Sequence, residues 1–80
     1  MSANPLEKWR KVQRLALKFK NDIVHELAQA YQEYLDSLPE FAREVTIMTF
    51  SGKVIKRKDI PRLIIEDPQF REWFIKHLTE

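Results

Sequence analysis

The sequence predicts an α+β domain that is predominantly α, with one long N-terminal helix, a small β-hairpin and short C-terminal helices packed on them. Three observations predict it. Apolar residues recur every three or four positions from Trp9 to Leu38. A β-branched and aromatic run over 45–50 leads through Ser51-Gly52 into a second such run. Asp59-Ile60-Pro61 and Asp67-Pro68 then reopen helices, each with an acid before a proline. The expected organisation is a single domain over 1–80. It comprises a long amphipathic helix at 4–36, a short helical turn at 37–43, a hairpin at 45–57, and short helices at 59–66 and 67–78.

The first helix starts on Asn4-Pro5-Leu6-Glu7. Asn4 is a good cap, Pro5 sits where a missing N–H costs nothing, and Glu7 stands where a capping box places an acid. Trp9, Val12, Ala16, Phe19, Ile23, Leu27, Ala30, Tyr34 and Leu38 then fall on one broad face, widened by Leu6, Leu17, Val24, Tyr31 and Leu35. No Gly or Pro interrupts before Pro39. Asn21-Asp22 offers a break, because both residues favour caps and turns. The apolar period crosses that junction without slipping, so a single unbroken helix is expected. At 1.5 Å per residue it would be ~50 Å long.

Ser37-Leu38-Pro39-Glu40 caps a short turn. In the hairpin Gly52, the only glycine, stands where a tight turn needs positive φ. Pairing Phe50 with Lys53 places Met48, Phe50 and Ile55 on one face, and Val45, Ile47 and Val54 on the other. In the last helix Phe70, Trp73, Phe74, His77 and Leu78 share a face.

Composition narrows the function. The chain has 80 residues, 32% of them charged and 44% hydrophobic, with a net charge of +2 and no cysteine. These values describe a globular chain without disulfides or thiolate metal sites. A single glycine excludes a glycine-rich phosphate loop of the usual kind. The two histidines are not spaced as metal ligands, and each serine has a tail, cap or turn role. No enzyme, cofactor or metal is expected. No apolar run is long enough to cross a bilayer. The N-terminus lacks the basic-then-apolar layout of a secretory signal, so a cytoplasmic location is expected.

The distribution of charge says more than its sum. Residues 5–21 carry six bases and one acid, and residues 22–44 carry six acids and one base, Arg43. That order opposes the helix dipole, which favours acids first and bases last. Two long helices packed antiparallel would bring each basic half beside the other's acidic half. The expected seam is the apolar stripe Trp9, Val12, Ala16, Phe19, Ile23, Leu27, Ala30 and Tyr34, with Lys8 of one copy approaching Glu33 of the other.

The leading expectation is therefore a small non-enzymatic protein-interaction or regulatory module. It self-associates as an antiparallel dimer and engages a protein partner that the sequence does not identify. The alternative is a nucleic-acid-binding protein. Its candidate polyanion contacts are the helix stripe Arg10, Lys11, Arg14 and Lys18, and the hairpin cluster Lys53, Lys56, Arg57 and Lys58. A membrane-surface role built on Trp9, Phe19 and the early bases ranks behind both.

Overall fold

Asn4 opens the first helix through its own side chain, whose oxygen accepts the Leu6 N–H at 3.0 Å. In the computed structural model, which describes residues 4–79, helix α1 runs Pro5–Leu17 and stops. The expected long helix is two helices. Lys18, Phe19 and Lys20 leave the helical path, a 3₁₀ turn follows at Asn21–Ile23, and helix α2 occupies Val24–Asp36. Lys20 is extended, with φ −139° and ψ 159°, and the Ile23 N–H bonds back to its carbonyl at 2.9 Å.

The break has a tertiary cause. A straight helix over 4–36 would be ~50 Å long, whereas the molecule's longest extent is 35 Å. Nothing else in so short a chain could cover its whole apolar face. Folding back lets the two halves cover each other, and the turn falls just before and through Asn21-Asp22, the residues least committed to a helix interior. The apolar period crosses the bend unbroken because both helices turn the same face inward.

Helix α2 sits at the centre, packed on α1 along one side and on α4 (Ile60–Glu66) along another. Helix α5 (Pro68–Leu78) closes against both α1 and α4. Val12, Leu27, Leu35, Ile60, Ile64 and Phe70 are the largest fully buried side chains. Asp67 caps α5 by accepting the N–H groups of Gln69 and Phe70 at 3.1 Å each. Arg71 ties α5 back to α4 by donating to the Ile64 carbonyl at 3.0 Å.

Between these helices lie a one-turn helix, α3 (Glu40–Arg43), and strands β1 (Thr46–Phe50) and β2 (Lys53–Lys56). The strands pair antiparallel in the expected register, Phe50 opposite Lys53 and Met48 opposite Ile55. Ser51 and Gly52 form the two-residue turn with φ of 53° and 78°, the doubly left-handed geometry that matches strand twist. Ile55 is buried and Met48 and Phe50 pack on the core, while Val54 is 64% exposed. The Met48–Phe50–Ile55 face is therefore the inner one. The pairing slips at Ile47, between Thr46 and Met48, so Ile47 also joins the core instead of facing out with Val54. Arg57–Asp59 form a 3₁₀ turn leading into α4.

Candidate functional site

The two expected basic clusters meet different fates. On α1, Arg10, Lys11, Arg14 and Lys18 all stay exposed. Lys11 Nζ lies 3.7 Å from Glu33 on α2. Among the described residues, Arg10, Arg14, Lys18 and the neighbouring Lys20 have no carboxylate within 4 Å. Lys11, Arg14 and Lys18 border a groove of about 500 Å³ with Leu15, Leu17 and Glu26. Leu17 is 70% exposed there, so the apolar face is narrower than its sequence pattern at this end.

In the hairpin cluster, two of the four cations share one carboxylate. Lys58 Nζ donates to Glu44 Oε1 at 2.8 Å, and Lys56 Nζ approaches Oε2 of the same carboxylate at 3.8 Å. The hydrogen bond from Lys58 holds the Glu44 carboxyl below its ordinary pKa, and the same bond raises that of Lys58. Arg57 is half-buried and turns inward, its Nη1 donating to the Ala42 carbonyl at 3.1 Å. Of the four cations, Lys53 alone is exposed without a carboxylate within 4 Å.

The stripe expected to join two copies lies inside one. Val12 and Leu27 are fully buried, Ala16 and Ala30 nearly so, and Trp9, Phe19, Ile23 and Tyr34 pack against the same core. Lys8 reaches Glu33 of its own chain at 3.4 Å. Within the single chain the antiparallel seam is intramolecular, its apolar stripe already covered by the chain's own helices. A partner joined by a short bend is present at far higher effective concentration than a free second chain.

A different site emerges where α1, α2, β1 and α5 converge. A half-open pocket of about 310 Å³ is lined by Trp9, Tyr31, Tyr34, Trp73, Phe74 and Arg57 together with Ile47, Met48, His77 and Leu78. Trp9 and Tyr34 have ring centroids 5.2 Å apart, and Tyr31 meets Tyr34 at 5.4 Å and Phe74 at 5.7 Å, both edge to face. His77, exposed at one wall, stacks on Trp73 at 5.0 Å and 12° instead of burying itself. Tyr31 is only 3% exposed, and burial raises its hydroxyl pKa while Arg57 pulls it the other way, so the hydroxyl remains a donor. Among the described residues neither Tyr31 nor Tyr34 finds a side-chain hydrogen-bond partner for its hydroxyl.

Sequence patterning did not reveal this cavity. The sequence pattern places Trp9 and Tyr34 on a seam between copies, Tyr31 at its margin and Trp73 on a separate helix, and it groups Arg57 with its lysine neighbours. The one available signal was the concentration of aromatics on the inward faces of the first and last helices.

No group of three or more His, Cys, Asp or Glu side chains among the described residues could hold a metal ion. None of the described helices is long and apolar enough to cross a membrane. Comparison with protein-family models, with curated proteins and with solved structures gives no match, so the surfaces are interpreted from their own chemistry.

Proposed function

We propose that this chain is a non-enzymatic binding module that engages a polyanion, with a nucleic-acid backbone the best-fitting class, through the outward face of α1. One observation carries the reading. Arg10, Arg14 and Lys18 are spaced i,i+4 along α1 and its C-cap with Lys20 just beyond, and among the described residues none of the four has a carboxylate within 4 Å. Elsewhere Glu33 lies beside Lys8 and Lys11 and Glu44 beside Lys56 and Lys58, while Arg43, Lys53, Arg57, Arg71 and Lys76, scattered over other elements, also have no carboxylate within 4 Å among the described residues. Exposed cations spaced along one helix and not engaged by the chain's own carboxylates are free to neutralise phosphates and release their counterions.

The α1 face supports this reading better than the hairpin does, because Glu44 engages Lys56 and Lys58 and Arg57 turns inward, which leaves Lys53 as the hairpin cluster's one exposed cation without a carboxylate within 4 Å among the described residues. The test is fluorescence anisotropy with labelled duplex and single-stranded DNA across a salt series. Four phosphate contacts give a log–log salt slope of about −3.6 on duplex DNA, at roughly −0.9 per contact. The triple variant R10Q/R14Q/K18Q should lose binding while keeping its melting temperature, since all three side chains are exposed. Absence of binding at low salt, or equal binding by the triple variant, would refute the reading.

A further inference from the structure

The cavity between α1, α2, β1 and α5 is independent of the basic face. Its wall combines a dense aromatic lining with a half-buried cation, Arg57. Arg57 lines it with one bond to a main-chain carbonyl and, among the described residues, no carboxylate within 4 Å. Withdrawing a guanidinium from water is unfavourable unless it is paired, and a carboxylate is its best-matched partner, bound through two parallel N–H donors. The Tyr31 and Tyr34 hydroxyls, without side-chain partners, can add neutral donors beside it.

Two ligand chemistries suit an aromatic box. A quaternary ammonium would use the ring faces through cation–π attraction. Here it would also meet Arg57, and among the described residues no Asp or Glu lines the cavity to offset the repulsion. An aromatic acid uses both features, its ring against the indoles and phenols and its anion on the guanidinium. Size fits as well. A cavity of about 310 Å³ holds the liquid volume of ~10 waters, and it lies at the small end of ligand pockets. We propose that this cavity binds a small aromatic carboxylate, its ring held among Trp9, Tyr34 and Trp73 and its acid group on Arg57.

Both tryptophans of the chain line the cavity, so intrinsic emission and the two indole N–H resonances report its occupancy directly. The probes are phenylacetate, its neutral isostere phenylacetamide, and benzyltrimethylammonium. Phenylacetate should shift both indole signals saturably and bind at least tenfold more tightly than either of the others. The acid–amide comparison uses the unaltered protein, so it stands whether or not a variant folds. Arg57→Gln, checked for an unchanged circular dichroism spectrum, should abolish the preference for acid over amide while leaving residual ring binding. Equal affinity for acid and amide, tighter binding of the ammonium, or no saturable response to any probe would each overturn the proposal.

Discussion

Lys8 of α1 and Glu33 of α2, 25 positions apart in sequence, bring Nζ and Oε1 to 3.4 Å across the helical seam, with Lys11 at 3.7 Å from the same oxygen. This contact gives the reversed charge order of the N-terminal half its structural meaning. Once the chain folds back, the basic start of α1 lies beside the acidic end of α2, and the two helix dipoles run antiparallel.

Charge reversal distinguishes contact within a chain from contact between chains. K8E and E33K should each lower unfolding free energy by up to ~1 kcal/mol, because both side chains of the pair are about one-third exposed and screened by water. Combining them in one chain should recover part of the loss, Lys11 still facing position 33. An equimolar mixture of the single variants should recover none. Urea denaturation of the four samples is the measurement.

The bend at Lys18–Lys20 should be tunable. Asn21→Ala with Asp22→Ala raises helix propensity by roughly 0.5 kcal/mol per residue. It also removes two residues that favour turns. A continuous helix could then exchange its second half with another copy, which hinge variants of this kind often permit. Light scattering should show a dimer fraction rising with protein concentration in the variant, and a smaller fraction in the parent at equal concentration.

The turn carries a cost at Ser51 that can be relieved. Its φ of 53° is left-handed, a region Asn tolerates better than Ser. Ser51→Asn should raise the melting temperature slightly. Gly52→Ala should lower stability by ~1–2 kcal/mol, since φ is +78° although a Cβ there would meet nothing within 4 Å. Thermal melts of both variants should move in opposite directions.

Glu44 gives the α3–hairpin junction an acid dependence. Its carboxyl pKa is lowered chiefly by the Lys58 hydrogen bond. The ionised form therefore stabilises the folded state at neutral pH, and that contribution disappears as pH falls through the lowered pKa. Glu44→Gln should melt below the parent at pH 7, and the gap should close on acidification. An NMR titration of the Glu44 side chain should place its midpoint below the ordinary carboxylate value.

How far the sequence could be read depends on the range of the forces at each point. Asn4 and Asp67 cap through atoms two or three residues away, and the Ser51–Gly52 turn is set by two backbone angles. Those features, the strand register and the C-terminal helices were legible because their causes are local. The end of α1 after Leu17 was not. No Gly or Pro marks it, and its cause is the mutual burial of Val12, Leu15, Leu27 and Tyr31, a relation between helices. Missing the bend also hid the site, since Trp9 and Tyr31 belong to one wall only when α1 lies back along α2.

The cavity draws its wall from Trp9 through to Leu78, and that span gives it a history as well as a shape. During synthesis, α1 and α2 can meet as soon as residue 36 is free, because only a short loop separates them. The basic ladder of α1 is in place from that moment. The aromatic pocket waits for α5, which follows α1 and α2 in the chain. A nascent chain therefore acquires its charged face early and its aromatic pocket only once α5 has been made, and removing α5 would leave the first without the second.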